Sequence, residues 1–117
     1  MSAPELSEPY RILVAEKLAP AGVEMLRERF DVDLGDDWSA DELAERIGTY
    51  DGILIRSATK LTAELIARGE NLKVIGRAGV GVDNVDVEAA TKRGIIVANA
   101  PEANTVAAAE HTVALML

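Results

Sequence analysis

Two arginines and a cluster of glycines are the residues of this sequence whose types and spacing indicate chemistry. Arg56 and Ser57 follow one apolar run, and Arg77 lies within the stretch GRAGVGVDN at residues 76–84. A guanidinium group can contact a carboxylate or a phosphate at two points. Glycines such as Gly79 and Gly81 let backbone N–H groups approach an anion closely, because no Cβ is in the way. These residues predict a binding site for a small ligand with one or two negative groups.

The spacing of the glycines argues against a dinucleotide-binding loop. Counted from Gly79, the third glycine of G-x-G-x-x-G would fall on Asn84. Counted from Gly76, the order is G-x-x-G-x-G, which is wrong for that fingerprint. The stretch also follows the fourth predicted strand, whereas the fingerprint opens a helix after the first strand. The sequence therefore predicts that this loop does not hold a pyrophosphate.

Each candidate also has a purely structural interpretation. Arg56 and Arg77 would then pair with nearby surface acids. Gly79 and Gly81 would serve a tight turn with positive φ, and Asp83-Asn84 would shape that turn and satisfy its backbone. His111 is the only histidine, but it stands beside Glu110 on a predicted helix far from the arginine loops. A packed or surface histidine is therefore favoured over a catalytic base.

The elements that must position these residues alternate between short β-branched runs and helical stretches. Helix starts are predicted at Pro20 and at the caps Ser39, Thr62 and Asp86, with Glu42 completing a capping box at Ser39. Five strands joined by short helical crossovers give an α/β fold with an open parallel sheet and helices on both faces. Ligands of such sheets bind at the carboxyl ends of the strands. The five predicted strands are Arg11–Glu16, Asp31–Gly35, Asp51–Ser57, Leu72–Ala78 and Ile95–Ala100.

Composition excludes several classes of function. The chain has 117 residues, 49 % hydrophobic and 27 % charged, which suits one globular domain. It has no cysteine, so disulfides, thiolate catalysis and cysteine-based metal sites are excluded, and we predict no metal. A net charge of -8 disfavours nucleic-acid binding. No apolar run is long enough for a membrane span and no signal peptide precedes the domain, so a cytoplasmic protein is expected.

Three long stretches resemble the D-isomer-specific 2-hydroxyacid dehydrogenases, from about Arg11 to the end of the chain. They are RSATKLTAELI (56–66), LKVIGRAGVGVDNVDVEAATKRGIIVANAP (72–101) and NTVAAAEHTVALML (104–117). The resemblance implies a flavodoxin-like substrate-binding domain over residues 11–103, after a flexible segment at 1–10. Residues 104–117 would begin a crossover helix towards a Rossmann domain that this chain lacks. The last helix ends on bare apolar residues without a cap, which agrees with a truncated crossover helix.

Within the family, the likeness is strongest to members that oxidise 3-phospho-D-glycerate in serine biosynthesis. It implies that the substrate is a small anionic 2-hydroxy acid and that the cofactor is NAD, bound mainly by the absent domain. The implied substrate-binding residues are Arg56, Ser57 and Arg77 around the phosphate, the backbone of Gly79 and Val80 around the carboxylate, and Asn104 at the border of the pocket. Val80 would also lie near the nicotinamide.

The resemblance places the chemistry elsewhere in the longer protein. The family's catalytic histidine, its glutamate partner and the arginine that orients the substrate all follow later, and His111 does not align with that histidine. No catalytic residue is therefore expected in this chain, which we expect to be inactive alone and prone to self-association. The longer protein is expected to be a homo-oligomer.

Two alternatives remain at this point. The first is another member of the family, such as a reductase of glyoxylate or of a longer 2-keto acid, which would need no phosphate contact. The second is a non-catalytic signalling domain of the same fold. A receiver domain needs an acidic pair after the first strand and an aspartate after the third, but Glu16-Lys17 and Arg56-Ser57 occupy these places.

Overall fold

A computed structural model describes residues 10–79 and 82–100, which form a five-stranded parallel sheet with helices on both faces. The strands are β1 (Arg11–Val14), β2 (Asp31–Leu34), β3 (Gly52–Ile55), β4 (Val74–Ala78) and β5 (Ile96–Ala100). Their order in the sheet is β2-β1-β3-β4-β5, and every neighbouring pair is parallel. This is the flavodoxin-like order, so the predicted fold class is confirmed.

Four helices connect the strands, and local signals set their starts. They are α1 (Pro20–Arg27), α2 (Ala40–Arg46), α3 (Ala63–Arg68) and α4 (Val87–Lys92), with a 3₁₀ turn at Ile47–Thr49 after α2. Pro20 takes the first helical position of α1, as predicted. The predicted caps also form, since Ser39, Thr62 and Asp86 each accept a backbone N–H three residues ahead, at 3.2, 3.3 and 3.0 Å. The carboxylate of Glu42 pairs with Arg46 at 3.1 Å.

The core has two layers, one on each side of the sheet. On one side, α1 packs through Val23 and Leu26 against strand residues such as Val14. On the other side, α2, α3 and α4 cover residues that include Ile55 and Ile75. Because side chains alternate along a strand, Arg77 lies on the same side as Ile75, which is the side of the three helices. This alternation directs the arginine towards the start of α3 and the loop before α4.

Two strands end two residues earlier than predicted at the edge where the carboxyl ends lie. β1 ends at Val14, although the pattern extended it to Glu16, and β3 ends at Ile55, although the pattern extended it to Ser57. The reason is tertiary, since the carboxylate of Glu16 accepts hydrogen bonds from the backbone that follows β3. Both segments therefore leave the strand direction to meet each other.

Some predictions fall outside the described residues. These are the crossover helix at 104–117 and, apart from Tyr10, the N-terminal segment at 1–10. Within the described residues, every helix is too short to cross a bilayer.

Candidate functional site

Arg77 lies at the carboxyl edge of the sheet, on the strand next to the end strand β5. It is the penultimate residue of β4, in register with Ile55 on β3 and Asn99 on β5, and only 7 % of it is exposed. Its guanidinium pairs with Asp83 across the following loop, with 3.6 Å between Nη2 and Oδ1. The side chain of Asp83 is 91 % exposed. The buried guanidinium is therefore paired with an exposed carboxylate, which water or an incoming anion can readily replace.

A groove of about 460 Å³ opens beside Arg77, between the loop after β3 and the loop after β4. This volume suits a small organic ligand. Among the polar residues that line the groove are Ser57, Lys60, Thr62, Arg77, Asp83 and Asn84. The structure thus brings together Ser57 and Arg77, two of the residues that the sequence had selected. It adds Lys60, which the sequence analysis missed although it follows the same strand as Arg56.

Arg56 takes a different place from the one predicted. Its side chain is exposed, and the residue is not among those that line the groove. Its backbone is well anchored, because its N–H donates to Glu16 at 2.6 Å and its C=O accepts from Asn84 at 2.7 Å. Within the described chain, Arg56 therefore contributes to the architecture of the loop, and its charge lies at the rim.

Gly79 has the backbone conformation that only glycine adopts readily, with φ of +153°. A Cβ at this position would stand 3.3 Å from Nη1 of Arg77, so the missing side chain lets the guanidinium lie against the loop. The carbonyl of Gly79 accepts a hydrogen bond from Asn99 at 3.3 Å. The predicted contacts at Val80 and Asn104, like His111, lie outside the described residues.

Two residues that were not selected as ligand contacts organise the loop after β3. Glu16 accepts the backbone N–H groups of Arg56, Ala58 and Thr59, at 2.6, 3.2 and 3.0 Å. The amide of Asn84 donates to the carbonyls of Arg56 and Thr59, both at 2.7 Å. Asn84 was expected to serve its own turn, but its side chain serves the neighbouring loop. The partners are 25 to 43 positions apart in sequence, so no local pattern could reveal these contacts.

The hydrogen bonds of Glu16 also change its acidity. Burial by itself would raise the pKa of this carboxyl group, because the charged form loses water. The N–H groups of Arg56, Thr59 and Ala58, together with the Thr59 hydroxyl, favour the charged form and outweigh burial, so the pKa is lowered. Glu16 therefore remains a carboxylate under ordinary conditions.

The described residues do not fit the role of a dinucleotide cradle. In a dinucleotide-binding sheet, the loop after the first strand holds the pyrophosphate on glycine backbone. Here that loop is AEKLA (15–19), which has no glycine and carries the carboxylate of Glu16. That charge would repel a pyrophosphate. The loop after β1 therefore lacks the features that hold a pyrophosphate in a dinucleotide-binding sheet.

Similarity to known proteins agrees with this geometry. Residues 12–114 match the family model of the D-isomer specific 2-hydroxyacid dehydrogenase, catalytic domain. The chain is 55 % identical over 115 residues to D-3-phosphoglycerate dehydrogenase 2, chloroplastic, of Arabidopsis thaliana, covering 97 % of this chain and 18 % of that protein. It thus spans about a fifth of the length of the curated relatives that it matches.

Solved structures show the same fold. A protein from Pyrococcus horikoshii superposes with a TM-score of 0.75 at 38 % identity, over 80 % of this chain and 28 % of the other. The 3-phosphoglycerate dehydrogenase of Entamoeba histolytica, solved with NAD+ bound, superposes with a TM-score of 0.65 at 32 % identity, over 78 % of this chain and 32 % of the other.

Proposed function

This chain belongs to the D-isomer specific 2-hydroxyacid dehydrogenase family, and from that premise we propose that it is the substrate-binding part of an NAD-dependent dehydrogenase. The reaction we propose is the oxidation of 3-phospho-D-glycerate to 3-phosphohydroxypyruvate, a step of serine biosynthesis. The observation that carries this proposal is the buried guanidinium of Arg77 in a groove that also holds Ser57 and Lys60. Relatives named for this reaction support the choice of substrate.

In this proposal, the phosphate of the substrate lies against Arg77, Lys60 and Ser57. A phosphate carries nearly two negative charges at neutral pH, so two cations and a hydroxyl donor match it in charge and hydrogen bonding. Its arrival would displace the exposed Asp83 from Arg77. Arg56, at the rim, would add a second guanidinium when its side chain turns inwards.

The carboxylate of the substrate belongs at the glycine loop. We propose that it accepts backbone N–H groups at Gly79 and Val80, because glycine permits the close approach that such contacts need. Asn104 would border the same pocket, and Val80 would also meet the nicotinamide. These placements extend the groove beyond the described residues and remain predictions.

The contribution of this chain to the reaction is to bind and orient the acid. NAD, when bound to the longer protein, would accept the hydride. Holding the substrate at a fixed position removes much of the entropic cost of bringing it to the reacting groups. We therefore propose that the 117-residue polypeptide binds the acid but does not by itself turn over NAD, and NAD reduction by the purified chain would contradict this.

A second candidate is a reductase of an unphosphorylated 2-keto acid such as glyoxylate. The ion pair with Asp83 favours it, since this contact cancels part of the charge of Arg77 and leaves a weaker site, suited to a single carboxylate. The two candidates differ in one respect only, the need for a phosphate on the ligand.

The test is a titration of the 117-residue chain, followed through its backbone amide NMR signals. We expect 3-phospho-D-glycerate to shift the signals of Ser57, Lys60, Arg77 and Gly79, and we expect D-glycerate, the matched ligand without phosphate, to shift them much less. Arg77→Gln should abolish the difference between the ligands. Equal responses to both, or a response to glyoxylate alone, would overturn the phosphate assignment and favour the second candidate.

The cytoplasmic location and the homo-oligomeric state of the longer protein stay predictions alongside this proposal.

A further inference from the structure

The loop at residues 56–60 carries Ser57 and Lys60 into the groove but has no regular structure of its own. It lies between the end of β3 and Leu61, where an isolated parallel bridge pairs Leu61 with Val85. Outside the strand ladder, the described hydrogen bonds of its backbone at 56–59 all go to two side chains, Glu16 and Asn84. The conformation of this loop therefore depends on residues that are remote in sequence.

Glu16 restrains the N–H side of the loop. One carboxylate accepts three backbone N–H groups, and bonds to an ionised acceptor are stronger than bonds between neutral groups. A carboxylate close to an anion site would ordinarily repel the ligand. Here its oxygens are already occupied by N–H donors, so the carboxylate holds the loop while its charge is partly compensated.

Asn84 restrains the C=O side of the same loop. Its amide nitrogen donates to two carbonyl oxygens, and since carbonyls only accept, the orientation of the amide follows from the chemistry. Its own oxygen is buried and lacks a hydrogen-bond partner among the described residues. Burying that oxygen is costly, so the two donated bonds are the favourable contribution of this side chain.

We propose that Glu16 and Asn84 are positioning residues, which hold the loop at 56–60 by its N–H and C=O groups in the conformation that binds the anionic substrate. This inference rests on the proposed function for the identity of the ligand. Both residues are proposed to affect the affinity for the substrate through the loop. Glu16 makes no contact with the substrate in this proposal. Asn84 lines the groove as well, but its amide is directed to the two carbonyls.

The consequence for binding follows from geometry. Ser57 and Lys60 act on the ligand only if the loop keeps them on the groove side, and a displacement of about 1 Å at such a site weakens function strongly. Without Glu16 or Asn84, the loop samples other conformations. Binding of the ligand must then also order the loop, and this ordering costs free energy. Affinity for the substrate should fall while the core of the sheet stays folded.

The experiment compares Glu16→Gln and Asn84→Asp with the unchanged 117-residue chain by NMR. Glutamine keeps the size of Glu16 but loses its charge, so we expect the amide signals of Arg56, Ala58 and Thr59 to move and their hydrogen exchange to accelerate. Aspartate at position 84 places a carboxylate oxygen, which cannot donate a hydrogen bond, next to the two carbonyl oxygens. We expect about threefold weaker binding of 3-phospho-D-glycerate for Glu16→Gln and about tenfold for Asn84→Asp.

Two control variants match these changes elsewhere in the fold. Glu28→Gln removes the same charge from an exposed residue just after α1. Asn71→Asp removes an asparagine amide that also donates to a carbonyl, that of Gly48 at 2.7 Å, at the opposite edge of the sheet. Both controls should leave the signals at 56–59 and the affinity within about twofold of the unchanged chain.

A pH titration tests whether the charged carboxylate of Glu16 itself holds the loop, while the affinities above test its role in binding. The pKa of Glu16 lies below its ordinary value of 4.5, so the three amide signals should move together as the pH falls through that lowered pKa. Lys17, Glu24, Arg27 and Asp36 are further charged residues that line a groove with Glu16. The common movement at Arg56, Ala58 and Thr59 should be absent in Glu16→Gln, whereas effects of the neighbours would persist.

Three results would count against the inference or its premise. Unchanged amide signals at 56–59 in Glu16→Gln would overturn the restraint itself. A loosened loop with unchanged affinity would overturn the role in binding. A chain that binds no phosphoglycerate, with normal amide responses to the substitutions, would contradict the proposed function while supporting the restraint of the loop.

Discussion

The two edges of the sheet use charged side chains in different ways. At the amino edge, side chains mostly satisfy one another: Arg11 pairs with Asp33 at 3.1 Å, and the hydroxyl of Tyr50 donates to the same carboxylate at 2.6 Å. Lys73 pairs with Asp51 at 3.0 Å. At the carboxyl edge, by contrast, a carboxylate and an amide bind the backbone of a loop.

The difference supports the proposal that the carboxyl edge binds a ligand while the amino edge serves stability. At the amino edge, the guanidinium of Arg11 also lies over the Tyr50 ring, 4.9 Å from its centroid. Its positive charge therefore has its partners within the protein. At the carboxyl edge, neither Arg56 nor Lys60 forms an ion pair with any described residue. Holding a loop by its backbone leaves its cations available to an anion.

The strongest test of this contrast is Asp51→Ala at the amino edge. Asp51 accepts the backbone N–H of Arg11 at 2.8 Å and pairs with Lys73, so its loss leaves the Arg11 N–H without this acceptor and removes the ion pair of Lys73. We expect the free energy of unfolding to fall by about 3 kcal/mol. Urea denaturation measures this, with Asp37→Ala as an exposed control. Phosphoglycerate affinity should not change, and a large loss of affinity would contradict the division between the edges.

The second test is the pH dependence at Tyr50. Burial and the hydrogen bond to Asp33 raise the pKa of Tyr50 to about 12, from an ordinary value of 10.0. A raised pKa in the folded state means that the unfolded chain loses its proton first. The resulting stability is complete below pH 10 and is lost as the pH approaches 12, by about 2 kcal/mol.

Tyr50→Phe should remove this part of the alkaline dependence in denaturation experiments between pH 9 and pH 12 (roughly one unit below the unfolded pKa up to the folded value). Tyr10→Phe, at an exposed position, is the matched control and should leave the dependence in place. Equal pH profiles for the two variants would show that the amino edge does not hold the phenol in its neutral form.

The third test removes a charge from the carboxyl edge. Lys60→Gln should weaken 3-phospho-D-glycerate binding about fivefold, or about 1 kcal/mol, since one of the groove's cations is lost. The free energy of unfolding should change by less than about 0.5 kcal/mol, because the side chain is exposed. Calorimetric titration measures the affinity, and Lys92→Gln on α4 is the control. An equal loss of affinity in both variants would indicate an effect of net charge only.

The smallest expected effect is at Asp83. Asp83→Asn removes the exposed acid that competes with the ligand for Arg77, so affinity for phosphoglycerate should rise about twofold, or about 0.4 kcal/mol. Stability should stay within about 0.5 kcal/mol of the unchanged chain. Asp36→Asn serves as the control for the same change in charge. Weaker binding in Asp83→Asn would mean that this carboxylate positions the guanidinium.

The strands and the helix starts could be predicted because their signals are local. Apolar runs of β-branched residues marked all five strands within about two residues of their observed ends. The caps at Ser39, Thr62 and Asp86 accept N–H groups three residues ahead, and Pro20 fixes its own φ at the first helical position, so a window of four residues contains each signal. The alternation of these elements was enough to predict a parallel α/β sheet.

The lining of the groove could be predicted only in part. Arg77 and Ser57, which the sequence had selected, line it because the ends of parallel strands meet at one edge of the sheet. Lys60 lines it without having been selected, and Arg56 is not among the lining residues, because the course of an irregular loop decides which of its side chains faces inwards. That course depends on Glu16 and Asn84, at positions far along the chain.

The sequence alone therefore determined the fold class and the helix caps, and it predicted a ligand at the carboxyl edge of the sheet. The tertiary structure decided the strand order, the burial of Arg77 beneath an exposed Asp83, and the loop that faces the groove. The physical reason is the separation in sequence between the groups that interact. Capping and periodicity act over a few residues, whereas a carboxylate that collects N–H groups 40 to 43 positions away exists only after the sheet has brought its strands together.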